Sequence, residues 1–157
     1  MLVKQIAKHF NDVHFGGNWT TVNLKDLLAD VTWQEATTQL YQLNTIAVLV
    51  FHINYYVSAV LKVLQGKTLN ASDKYSFDLE PIVNEEQWQA LVNKALKEAA
   101  LFSYELEKLA EEQLLTDFTD AKYGNYYRNI SGIIEHTHYH LGQIALIKKI
   151  IREQQIK

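Results

Sequence analysis

Over more than five helical turns, apolar residues return every three or four positions, as Trp88, Leu91, Val92, Ala95, Leu96, Ala99, Phe102, Leu106 and Leu109. That spacing turns one face of an α-helix toward a core, and no stretch of the chain sustains the two-residue alternation of a half-buried strand. One proline and six glycines among 157 residues leave little to interrupt helices. The expected fold class is therefore all-α, in a single domain over residues 1–157.

The boundary signals place four long helices. The first runs from Leu2 to His14 and ends at Gly16-Gly17, where glycine offers the left-handed conformation that closes helices. Asn23 and Thr32 are candidate N-caps for a short helix near Leu24–Ala29 and for a run from Trp33 to Gln65 with a break near Leu43-Asn44. Within that run Asn54, Ser58, Lys62 and Gln65 draw one hydrated stripe, which argues for a bundle helix and against a membrane span. Lys67 to Asn84 has no helical period and holds the only proline, Pro81, so it reads as a long crossover between the second and third long helices of a four-helix bundle. Asn84-Glu85-Glu86-Gln87 resembles a capping box at the head of the third, and the fourth spans about Tyr126 to Glu153. The cations Lys148, Lys149 and Arg152 read as a solvated helix end.

Charge and composition narrow the chemistry. Fifteen basic and eighteen acidic side chains give a net charge of −3, with no basic patch to hold a phosphate backbone, so nucleic acid is not an expected partner. The chain has no cysteine, which removes disulfides, thiolate ligands and a cysteine nucleophile; a thiol in the chemistry must arrive with a substrate. The amphipathic opening segment is not a secretion signal, and a cytoplasmic protein is expected.

The histidines carry the functional signal. On a wheel of about 100° per residue, His136 and His140 fall within the stripe of Ile133, Ile144, Ile147 and Ile151, while His138 falls on the polar side. His52 lies about 120° from the Asn54-Ser58-Lys62 stripe and also faces inward. Three inward imidazoles need partners, because an unsatisfied buried polar group costs about 1–3 kcal/mol. Two readings meet that need: a divalent ion bound by all three, with an open position left for water or substrate, or separate hydrogen bonds within the core or a wet cavity. Neither the zinc-protease motif nor a di-iron centre fits, since no glutamate lies between His136 and His140 and Glu135-x-x-His138 has no second copy. Tyr55 and Tyr56 are candidates to stand beside the site, and Gln143, within about 20° of His136 on the wheel, is a candidate either to accept from an imidazole N–H or to cap a buried carbonyl.

The segment from His136 to Ile144, with His52 in Leu49-Val50-Phe51-His52-Ile53, resembles the DinB-like (DinB/YfiT) superfamily across essentially the whole chain, including the Gly17-x-Trp19 linker. The resemblance implies a four-helix bundle with a long crossover and a metal site formed by His52, His136 and His140. It also implies a divalent ion, zinc, nickel or iron, and for some relatives transferase or isomerase chemistry on a low-molecular-weight thiol. The commonest family pattern carries arginine after the last histidine, where this chain has Leu141. The expected function is thus a metal-dependent enzyme acting on a small molecule through an activated thiol or water. The alternative is a non-catalytic bundle with a structural or vestigial histidine site and a partner-binding role. A homodimer is expected in either case, since symmetric dimers are the commonest oligomers, relatives often dimerise, and Tyr123, Tyr126 and Tyr127 cannot all face one core.

Overall fold

The computed structural model describes residues 1–155, so the last two positions of the expected domain, Ile156 and Lys157, lie outside the described residues. Among the described residues six α-helices are present: α1 (Leu2–Phe15), α2 (Leu24–Leu28), α3 (Trp33–Thr37), α4 (Ile46–Leu64), α5 (Glu85–Glu107) and α6 (Tyr126–Gln155). No strand occurs among them, only an isolated bridge between Asp117 and Asn125. The long helices α1, α4, α5 and α6 form a helical bundle in which α5 and α6 each pack against both α1 and α4.

The core follows the apolar stripes. Val3, Ile6, Ala7, Phe10 and Val13 of α1 are buried, and the Phe10 ring stacks on Phe102 of α5 at 4.1 Å between centroids. Trp88 is fully buried, with its indole N–H donated to the Val31 carbonyl at 2.8 Å, which satisfies the one polar atom of a large apolar side chain. By length and composition α4 would suffice to cross a membrane, yet 67% of its apolar window is buried inside the bundle.

Several local expectations are corrected. Gly16 does end α1, but with φ 111° and ψ 157°, a region essentially confined to glycine, and not in the left-handed helical well. The second long helix begins at Ile46, capped by Thr45, whose side chain accepts from the Val48 N–H. Trp33–Thr37 is a separate turn of helix opened by a reciprocal Thr32–Glu35 capping box. The two are parted because Thr38 takes an extended conformation and Tyr41 sits at φ 50°. At the head of α5, Asn84 accepts from the Gln87 N–H as expected, but Gln87 reaches one residue further back, to the Val83 N–H. The stripe on α4 is not uniformly wet: Asn54 is buried and donates to Glu98 of α5 at 2.8 Å. Nor is the basic cluster of α6 a free helix end, since Arg152 pairs with Asp30 and Glu35 and Lys148 donates to the Leu27 carbonyl. The Trp19 side chain in the linker after α1 is 99% exposed.

Candidate metal centre

Two helices supply the three imidazoles. His52 comes from the first half of α4, while His136 and His140 stand one turn apart on α6. His52 and His140 are buried and His136 is partly so. The His136 Nε2 lies 3.0 Å from His52 Nε2 and 3.1 Å from His140 Nε2. The outer nitrogens of two of the rings are held by acceptors. His52 Nδ1 donates to the Ser76 carbonyl at 3.1 Å, and His140 Nδ1 donates to Gln143 Oε1 at 2.6 Å. A proton kept on each Nδ1 leaves the Nε2 lone pairs of His52 and His140 pointing at the shared centre.

Hydrogen bonding alone satisfies this arrangement poorly. His136 can bring a single Nε2 proton to two facing lone pairs, and its own Nδ1 is buried without a partner. A cation at the centre accepts all three lone pairs at once. Metal–nitrogen distances of about 2.0–2.1 Å give neighbouring donors separations of roughly 3.0–3.4 Å; the two separations at His136 lie in that range, and all three ligand atoms lie within 4.8 Å of one another. Electrostatics point the same way. Burial, then the neighbouring His140 and His52, lowers His136 to about 4, and burial is the main cause of the lowered values of His52 and His140. All three rings are therefore neutral near pH 7, the form that binds metal.

The connection between α4 and α5 closes over the cluster. Phe77 stacks on the His52 ring at 3.8 Å and 9°, and Tyr56 presents its ring edge-on to both His52 and His136. The Tyr56 hydroxyl donates to Asp73 Oδ1 at 2.7 Å, and burial raises its pKa, so it remains a phenol. Beside this group lies a cavity of about 950 Å³ whose lining includes Tyr56, Asp73, Phe118, Arg128, Glu135 and His136. The Arg128 guanidinium makes one long contact, to the Tyr123 carbonyl at 3.4 Å, and no ion pair among the described residues.

His52, His136 and His140 are thus brought together as the sequence suggests. His138 is kept apart, on the seam where its ring meets His9 of α1 at 5.9 Å. Of the two tyrosines only Tyr56 touches the cluster; Tyr55 spends its hydroxyl on the Ser72 backbone, accepting from N–H and donating to C=O. Gln143 accepts from an imidazole N–H, that of His140, because the i, i+3 offset brings its amide to that ring. Leu141 is 2% exposed and fills core, not site. Ser76, Phe77 and Asp73 had no signal in the sequence, since their roles rest on a carbonyl, a ring face and a carboxylate in a segment without periodicity. Comparison with protein-family models, curated proteins and solved structures finds no match to this chain.

Proposed function

We propose that the chain is a divalent-metal-dependent enzyme of the DinB-like type, in which His52, His136 and His140 hold the ion and a small molecule occupies the adjoining cavity. The observation that carries this reading is the convergence of three Nε2 atoms with two Nδ1 protons already tied back. The order of elements supports it too, with the long connection over residues 65–84 lying between the second and third long helices, where DinB-like proteins have their crossover.

When bound, a divalent cation at such a site acts as a Lewis acid that lowers the pKa of a water or low-molecular-weight thiol in its open position. The chain's own residues do the rest. Ser76 and Gln143 fix ring orientation and tautomer for His52 and His140. Phe77 and Tyr56 cover the imidazoles with aromatic surface and keep water from that side. Asp73 and Glu135 are the carboxylates lining the cavity and the candidate proton acceptors, while Arg128 offers a cation with unpaired N–H groups to an anionic end of the substrate. With no cysteine in the chain, sulfur enters the reaction only as substrate.

Titration of metal-free protein with zinc or nickel near neutral pH tests the reading. Saturable uptake of about one ion per chain is expected for one three-ligand site. Absence of saturable binding would remove the metalloenzyme reading and leave the non-catalytic bundle in its place.

A further inference from the structure

Helices α4 and α5 pack side by side, and an open groove of about 530 Å³ runs along their seam. Four lysines line it: Lys62 in the last turn of α4, Lys67 just beyond that helix, and Lys94 and Lys97 in the middle of α5. Lys62 and Lys97 are thirty-five positions apart in the sequence, so only the packing of the two helices gathers the group. All four are exposed, and none has an ion-pair partner among the described residues. The dipole of α4 accounts for a cation in its last turn. It does not account for Lys94 and Lys97, which stand three residues apart in mid-helix, where like charges are neighbours and destabilise the helix.

The one carboxylate in the groove is engaged elsewhere. Glu98 stands four residues after Lys94, the usual spacing of a helical ion pair, yet it forms no salt bridge and accepts from the Asn54 side chain at 2.8 Å. Asn54 is buried, so it holds that carboxylate against α4. Four lysines against one glutamate leave the groove with a net charge of +3, in a chain whose own net charge is −3. A concave site lined by one sign of charge focuses the potential and draws counter-charge to itself.

From this arrangement we infer that the α4–α5 groove is a binding site for a small polyanion carrying two or more linked phosphate groups. The chemistry selects that class. An ammonium is a point charge that takes phosphate oxygens from any direction, and several around one concavity suit several phosphates in one chain. Ser58 and Gln65, both half-buried, add neutral hydrogen-bonding groups. No lining residue is aromatic, so nothing in the groove stacks on a nucleobase, and the part recognised is the phosphate chain itself. The volume is that of a small-ligand site, and one short groove offers too few contacts to track a nucleic-acid backbone. The site is separate from the histidine cluster. Tyr56, Ala59 and Val60 face the cavity beside the histidines, whereas Ser58, Leu61 and Lys62 face the groove, on the opposite side of α4.

Isothermal titration of the full chain with inorganic triphosphate, at about 50 mM salt, tests the inference. One saturable site per chain is expected, weakened at least about fivefold at roughly 300 mM salt, where exposed charges are screened. Lys94→Gln combined with Lys97→Gln should weaken binding at least about tenfold without lowering the melting temperature, since the pair of substitutions also removes a repulsion. Glu98→Gln keeps an acceptor for the Asn54 amide and deletes the one negative charge, so it should tighten binding about threefold or more. His52→Ala and Arg128→Ala act on the other side of α4 and should leave the affinity unchanged, which separates the groove from phosphate held at the histidines or in their cavity. No saturable binding up to about 1 mM would overturn the inference. So would binding that survives the double lysine substitution, that weakens in Glu98→Gln, or that is lost in a folded His52→Ala or Arg128→Ala chain. Sedimentation with vesicles of phosphatidylcholine and phosphatidylserine separates a lipid headgroup from a free phosphate chain: a protein that binds such vesicles and not triphosphate overturns the inference in favour of a membrane surface.

Discussion

His136, His138 and His140 share one short stretch of α6, but two residues along a helix turn a side chain by roughly 200°, and the middle ring sits against His9 while the outer two meet His52. Replacing His136 or His140 by alanine is therefore expected to cost most of the metal affinity, whereas His138→Ala should bind like the parent in the same titration. Gln143 acts through His140, whose Nδ1 proton it holds. Gln143→Leu should weaken metal binding about 10–100-fold, the usual cost of losing such a partner, and lower the melting temperature of the metal-free protein, since the buried His140 Nδ1 proton is left without its acceptor. His14 is a different case. It is 1% exposed, with Nδ1 bonded to the Phe10 carbonyl, and burial lowers its pKa from 6.5 to about 4. Because the unfolded chain takes up a proton at the higher value, stability is full above pH 6.5 and falls as pH drops toward 4, by about 3 kcal/mol on the order-of-magnitude scale of 1.4 kcal/mol per unit. Urea denaturation at pH 7 and pH 4.5 should show this loss, and His14→Leu should shrink it.

At the scale of elements, the last turns of α6 hold down the loop between α2 and α3. Arg152 bonds Asp30 Oδ2 and Glu35 Oε1 at 2.8 Å and the Asp30 carbonyl at 2.9 Å, and hydrogen bonds from Arg152 and then Lys148 lower Asp30 to about 2. Glu35 is shared, closing its own capping box at Thr32 while pairing with Arg152, so a change at α6 reaches the start of α3. Arg152→Ala is expected to cost about 1–2 kcal/mol in denaturant unfolding, discounted for a side chain partly in water. Arg152→Lys should recover less than half of that, since one ammonium cannot reproduce the guanidinium fork.

For the whole molecule, the histidines tie α4 to α6, and through Ser76 and Phe77 they tie both to the segment before α5. A ligand that binds only this assembled arrangement stabilises the fold by mass action, about 2.7 kcal/mol at one hundred times its dissociation constant. For a domain of this size that corresponds to a melting temperature raised by roughly 5–10 °C. Differential scanning calorimetry with and without zinc should show the rise, chelator should reverse it, and His52→Ala should abolish it. A zinc effect that survives His52→Ala would place the ion elsewhere.

What the amino-acid sequence determined by itself is whatever repeats along one element. The three-four stripe from Trp88 to Leu106 specified a buried helix face, and the same arithmetic on α6 separated His136 and His140 from His138, because helical angle is a local property. Caps at Asn23, Thr32 and Asn84 were legible for the same reason, each being a contact within three residues. Pairings across elements were decided only by the tertiary structure. Ser76, twenty-four residues from His52, supplies a backbone carbonyl that any residue type would carry, so no pattern marks it. Asn54 reads as a wet edge until α5 brings Glu98 to it, and Lys148 and Arg152 read as a solvated end until Asp30 and Glu35 fold back. Polar side chains are ambiguous in a sequence because their free energy depends on the partner, and only the fold says which partner arrives.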